Sequence, residues 1–223
     1  MDKTLLRDAL KKFIAGVIGI GLMLFLPAGT LHYYQGWLFC AVLFIPVMVM
    51  GVVLFFKAPD LLRKRLQEKE EQSEQKSVVA LSGLMFLGGF VLAGLDYRFG
   101  WTQLPMWAVY VAAAAFVLGY AMFAEVMREN AYLSRTVEVQ EDQIVVDTGL
   151  YGIVRHPMYT ATVVMFLAMP LVLGSLISLC VFLVYPFLIV KRIRNEEQVL
   201  EEGLAGYAEY KQKVKYRLMP FVW

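Results

Sequence analysis

Five stretches of this sequence contain no Asp, Glu, Lys or Arg: Phe13–Leu31, Trp37–Phe56, Val78–Leu95, Leu104–Ala124 and Met158–Val190. A bilayer core takes about 20 mostly apolar residues per helix, and each of the first four has that length. The fifth is too long for one ordinary span, and Leu173-Gly174-Ser175 interrupts it with turn chemistry. Two shorter helices packed as a hairpin satisfy it better. Pro170 and Pro186 mark kinks that membrane helices tolerate where neighbours satisfy the freed carbonyls. The expectation is an all-α polytopic membrane protein: four transmembrane helices, a C-terminal helical hairpin (five to six membrane helices in all), a cytoplasmic C-terminal tail and no Rossmann domain. With 59% hydrophobic and 18% charged residues, the composition departs from that of soluble domains, which are nearer half and a quarter. The first apolar run follows a basic start, as a signal peptide would. It lacks a small-residue cleavage site and is followed by further spans, so it reads as a retained helix.

Basic residues cluster at alternate connections. Lys3, Arg7, Lys11 and Lys12 precede the first span. Lys57, Arg63, Lys64, Arg65, Lys69 and Lys76 lie between the second and third, and Arg128, Arg135 and Arg155 follow the fourth. Lys191, Arg192, Arg194, Lys211, Lys213, Lys215 and Arg217 fill the tail. The other two connections, around His32–Gln35 and Asp96–Arg98, hold one basic residue between them. The positive-inside rule then places both termini in the cytoplasm. Tyr33, Tyr34, Trp37, Tyr97, Trp101 and Trp107 form an aromatic belt at the opposite face. The mixed charges between Lys57 and Lys76 read as a solvated helix on the cytoplasmic face. Thr136–Val139 alternates in strand fashion, Glu141–Gln143 suits a turn, and Ile144–Val146 suits a return strand.

A net charge of +2 gives no reason to expect nucleic acid. Cys40 and Cys180 sit in apolar runs without partners at ligand spacing, so neither a disulfide framework nor a metal site is expected. A conducting pathway is poorly supported, because the early spans carry almost nothing ionisable at depth. The chain divides into residues 1–125, a scaffold of membrane helices, and residues 126–223, where the chemistry concentrates.

Three clusters there look chemical. In Arg155-His156-Pro157-Met158-Tyr159, Pro157 stands at the favoured first position of a helix. The start of that helix attracts anions. The plainer alternative is a snorkelling Arg155 and a capping His156. In the second cluster Ile193, Glu197, Leu200 and Leu204 share one helix face, with Glu196 on its flank. A carboxylate on an apolar stripe needs a partner: a polar ligand, or an ion pair with Arg155 or Arg194. The third cluster is Tyr207-Ala208-Glu209-Tyr210 and then Tyr216-Arg217-Leu218-Met219-Pro220, where Arg217 offers a planar fork for a carboxylate or snorkels to the interface.

Thr148-Gly149-Leu150-Tyr151, Arg155–Tyr159, Glu196-Glu197, Tyr207–Tyr210 and Tyr216–Pro220, in this order around an apolar hairpin, resemble the signature of the isoprenylcysteine carboxyl methyltransferase family. The resemblance implies S-adenosylmethionine-dependent methyl transfer at the cytoplasmic membrane face, with the cofactor held by the C-terminal helices and tail. It implies cofactor contacts at Tyr151, Val154, Arg155, His156, Pro157, Tyr159, Glu196, Glu197, Tyr207 and Tyr210, and catalytic roles for Glu197 and for Arg217, which would orient an acceptor carboxylate. The implied partners are a lipophilic or lipidated acceptor and membrane lipid, with neither nucleic acid nor metal. Two other enzyme classes share features. Membrane sterol reductases, which use NADPH, end in similar Arg-His-x-x-Tyr and Tyr-Arg-x-x-Pro elements. A phospholipid or amine N-methyltransferase would use the same cofactor.

Overall fold

The computed structural model describes residues 2–66, 73–133 and 139–223, and among these all regular structure is helical. Asp2 opens α1 (Lys3–Ala28) by accepting hydrogen bonds from the amides of Thr4 and Leu5. This cap starts the helix ten residues ahead of the apolar run and uses two of the donors a helix start leaves open. After α2 (Tyr34–Lys57), the charged connection forms α3 (Pro59–Leu66), whose Leu61 and Leu62 are buried. Then come α4 (Ser73–Phe99) and α5 (Met106–Glu129). A 3-10 turn at Gly149–Gly152 leads into α6 (Pro157–Val172). α7 (Leu176–Phe182), α8 (Tyr185–Gly203) and α9 (Tyr207–Lys213) complete the chain.

The helices α1, α2, Lys76–Phe99 of α4, α5 and the α7–α8 stretch Leu176–Gly203 are each long and apolar enough to cross a membrane. α6, with 16 residues, is shorter. The expected hairpin is present, with its turn at Leu173-Gly174-Ser175. Gly174 takes φ +77, which a side chain would strain. Its second arm is itself broken at Leu183-Val184, because Pro186 has no amide to continue the ladder of α7. Ile144–Val146 forms no strand, whereas the turn before it is real: the Gln143 amide donates to the Gln140 carbonyl (3.2 Å). Thr136–Glu138 of the anticipated first strand lie outside the described residues, as do Lys69 and Arg135.

α5 and α6 share the most extensive interface. At Gly119 a Cβ would meet Met165 Cγ at 2.8 Å and the Ala161 carbonyl at 3.2 Å, so the two backbones approach as only small residues allow. Rings of Phe39, Phe86, Phe90, Phe116, Phe166 and Phe182 interlock across the bundle centre. Outward faces, including Ile18, Leu22, Val49, Val52 and Leu118, are exposed, as expected where lipid is the solvent.

The bundle has two polar ends. At one end the Tyr33 hydroxyl donates to the Leu173 carbonyl (2.6 Å), and Tyr97 donates to the His32 carbonyl. There Asp96, 1% exposed, accepts from the Thr102 amide (2.7 Å), the Thr102 hydroxyl and the Ser175 hydroxyl. Those bonds tie the α4–α5 connection to the hairpin turn. Asp96→Ala leaves these donors unpaired in a buried place. It should destabilise the fold by about 2–4 kcal/mol, read as a lower melting temperature of detergent-solubilised protein. A melting temperature equal to wild type would show that the knot carries no stability.

Candidate functional site

At the other end the tail closes over the start of α6. The Arg155 and His156 amides donate to the carbonyls of Tyr216 (2.9 Å) and Arg217 (3.0 Å). The Thr160 hydroxyl donates to the Leu218 carbonyl (2.8 Å). His156 is the N-cap residue, yet its side chain makes no cap hydrogen bond; it turns toward α8 instead.

On α8, adjacent glutamates do different things, because successive helix positions point about 100° apart. Glu197, 4% exposed, accepts from Arg155 Nε (2.7 Å) and Arg217 Nε (2.8 Å), and lies 3.2 Å from His156 Nε2. Arg155 also donates to the carbonyls of Val214 (2.7 Å) and Lys215 (2.9 Å). Three elements, the α6 start, α8 and the tail, thus meet on one buried carboxylate. Glu196, one residue earlier, accepts from the Tyr159 hydroxyl and lies 3.8 Å from His156 Nδ1. Arg192 Nε donates to the same Tyr159 oxygen (2.7 Å).

Beside this network is a cavity. Its wall includes Tyr151, Arg155, His156, Tyr159, Glu196, Tyr207 and Tyr210, seven of the residues singled out in the sequence. Val154 and Pro157 are buried next to it without lining it. Glu197 and Arg217 also stand off the wall, linked to it through Arg155 and His156. Asn130, Tyr132, Gln143–Val146, Met158, Arg192, Val199 and Leu200 complete much of the lining and were not anticipated. Arg192 had a legible signal, since it precedes Glu196 by one helical turn. The Gln143–Val146 segment had none beyond its alternation.

The tyrosines differ in their bonding. The Tyr210 hydroxyl donates to the Tyr151 carbonyl (2.8 Å), and the Tyr151 hydroxyl accepts from Asn130 (2.8 Å). The Tyr207 hydroxyl is buried and has no hydrogen-bond partner among the described residues. Burial pushes all three phenols well above their ordinary range, and the charges of Glu197 and Glu196 push Tyr207 further. Tyr207 is therefore a neutral donor on a residue that lines the cavity, with no acceptor for its proton among the described residues. A buried polar atom left so is costly, which fits a site shaped for a polar ligand.

The fold and this site together define a multi-pass helical membrane protein with a cavity of mixed polar and apolar lining at one end of its bundle. Within it, residues 109–202 match the model of the isoprenylcysteine carboxyl methyltransferase (ICMT) family, so the resemblance read from the motifs is borne out over that segment. The tail from Tyr207 onward lies beyond the match. The chain is also 35% identical over 79 residues to the mouse (Mus musculus) protein Delta(14)-sterol reductase TM7SF2. That similarity covers 34% of this chain and 19% of the reductase, so the chain spans about a fifth of that relative's length.

Glu197→Ala removes the counter-charge of a buried arginine and should destabilise the tail-closed state by about 3–5 kcal/mol. Faster proteolysis within residues 204–223 would report it; wild-type resistance would show that the carboxylate does not hold the tail. Tyr207→Phe deletes an unpaired buried hydroxyl. In ligand-free protein it should leave the melting temperature unchanged or raise it, and a clear drop would reveal a bond to the protein.

Proposed function

We propose that this chain is an S-adenosylmethionine-dependent methyltransferase of the membrane, acting on a lipophilic acceptor at the cytoplasmic face. The observation that carries the reading is the convergence of the matched segment's Tyr151, Arg155, His156, Tyr159 and Glu196 with the tail's Tyr207 and Tyr210 on one cavity. The basic connections lie at the end of the bundle that holds this cavity, which supports a cytoplasmic site and cytoplasmic termini.

The cofactor supplies an activated methyl group on a sulfonium, so the protein need not provide a nucleophile. What the chain contributes is binding and alignment. The Glu196 carboxylate and the rings of Tyr159 and Tyr207 suit a cation. Arg155 and the α6 start suit the amino-acid carboxylate, and the Tyr207 hydroxyl suits an acceptor atom of the ligand. Arg217 uses Nε for Glu197, while its guanidinium lies over the Trp223 ring, 5.0 Å from the centroid. Its two terminal nitrogens make no hydrogen bond among the described residues, so the fork is available to an acceptor carboxylate. This favours carboxyl O-methylation of an isoprenylcysteine-like substrate over methylation of an amine. Glu197 then acts by holding Arg155 and Arg217 in place.

The similarity to a sterol reductase favours a second reading, an NADPH-dependent reductase. The wall carries Glu196, which suits a sulfonium, together with the basic Arg155 and Arg192, which suit a carboxylate or a phosphate. Titrating purified protein with each cofactor decides. Saturable S-adenosylmethionine binding is expected, weakened roughly five- to tenfold in Tyr207→Phe, the loss of one hydrogen bond. Saturable NADPH binding without S-adenosylmethionine binding would overturn the proposal. Incubation with methyl-labelled cofactor and a membrane extract should then label a lipophilic product.

A further inference from the structure

The outer wall of the cavity is the segment Gln143–Val146, which belongs to neither a helix nor a strand. On its inner side, Val139 and Val145 pack against Leu204, Tyr207 and Tyr210, an apolar contact with no directional bond. Polar bonds hold it from both sides: on the tail side Lys213 of α9 donates to Asp147, just beyond the segment (2.6 Å). Lys64, on α3, donates to Gln140 Oε1 (2.6 Å). The same amide donates from Nε2 to the Tyr132 carbonyl, and both halves of the Gln140 side chain are thereby satisfied in one orientation. The Gln140 amide donates to Gln143 Oε1 (2.9 Å), and Gln143 returns its own amide to the Gln140 carbonyl. Tyr132 donates its hydroxyl to the Asp142 carbonyl (3.1 Å). Gln140 is thus the hub of the turn, and Lys64 is the charged group that fixes the hub.

α3 is itself well held. Leu61 and Leu62 are buried among Leu5, Leu54, Val126 and Met127. Arg63 pairs with Asp2 (2.5 Å) and Asp60 (3.0 Å), and Arg65 lies over the Phe123 ring. Lys64 therefore reaches the cavity wall from a rigid base in the N-terminal half of the chain. Tyr132 and Lys213 add polar bonds to the same stretch, and its contact with Leu204, Tyr207 and Tyr210 is apolar. For a ligand that leaves past Gln143–Val146, the Lys64–Gln140 bond resists the outward swing of that segment, and it is charge-assisted, of the stronger kind.

We infer that Lys64 and Gln140 are positioning residues, a clasp by which α3 holds the cavity's outer wall closed over the bound cofactor. The inference rests on the cofactor reading above for its ligand, but the clasp itself is a property of the protein. Neither residue lines the cavity, so loss of the clasp acts on ligand exchange and leaves the residues that face the ligand intact.

The test uses the full chain in detergent, with Lys64→Met, Gln140→Leu, the double variant and Lys64→Arg. Dissociation of labelled S-adenosylmethionine should quicken roughly five- to tenfold in each single methionine or leucine variant. The double variant should be no faster than Gln140→Leu, which already removes the Lys64 bond along with the one to Tyr132, and Lys64→Arg should keep most of the wild-type rate. Hydrogen exchange of ligand-free protein supplies a second readout: amides of residues 140–146 should exchange faster in Lys64→Met, while those of α5 and α6 stay protected. Unchanged exchange at 140–146 in a folded Lys64→Met protein overturns the clasp whether or not any cofactor binds. Multiplicative effects of the two substitutions on dissociation would overturn it as well. Wild-type protein that fails to bind S-adenosylmethionine would refute the proposed function alone, leaving the exchange result to decide the clasp.

Discussion

The polar end of this molecule depends on one buried carboxylate. Glu197 neutralises Arg155, engages Arg217 and abuts His156, and through these it brings together the start of α6, the middle of α8 and the extended tail. A charge removed from water is tolerated only when its partners satisfy it. Here they come from different parts of the chain, so the requirement becomes a folding instruction. The tail buries an apolar cluster of its own, Leu204, Tyr207, Tyr210 and Val214, and runs on as an extended stretch. It is held because Arg155 takes the carbonyls of Val214 and Lys215 while its Nε is engaged by Glu197.

The opposite end is built on the same logic with a different carboxyl group. Asp96 gathers Thr102 and Ser175 and thereby fixes the hairpin turn. Between the two ends the helices meet through phenylalanine rings and small residues, contacts that set distance well and register poorly. Lipid provides no hydrophobic drive for helices to associate, so the polar ends supply what the apolar middle cannot: unique pairings. α6 carries both constraints, one at each end, and its position against α5 follows from them.

Much of this was legible in the sequence, because the solvent enforces it. Uncharged runs of span length can only be membrane helices, and Leu173-Gly174-Ser175 in the longest run can only be a break; both appear as expected. The burial of Glu197 was legible too, since Ile193, Glu197 and Leu204 recur at helical spacing and all are buried. What could not be read was which of two adjacent glutamates faces the cavity. The stripe separates Glu197 from Glu196 on its flank, but which of them borders the cavity depends on where Arg155 and Arg217 arrive from across the fold. The break at Leu183-Val184 was half visible, as Pro186 announces a fault without saying whether the helix bends or restarts. The wall segment Gln143–Val146 was least visible. Its alternation suggests a strand, but a strand needs a partner ladder, and the bonds around Gln140 and Tyr132 build the turn that precedes the segment instead.

The division between the two glutamates bears on what the site can do. A carboxylate with two arginines and an imidazole around it has little capacity left for a ligand. One residue away, Glu196 has a single strong donor, the Tyr159 hydroxyl, which Arg192 in turn orients. Glu196 can therefore meet a cationic ligand while Glu197 maintains the architecture that aims it. The sequence-level assignment of catalysis to Glu197 and Arg217 acquires a sharper form in consequence. Under the proposed function, the arginine would meet a substrate through its two terminal nitrogens, which make no hydrogen bond among the described residues, and the glutamate would contribute by fixing where they point. A reaction that needs alignment rather than a protein nucleophile is served well by such an arrangement. The most buried charge sets the geometry, and the more exposed groups it holds in place meet the reactants.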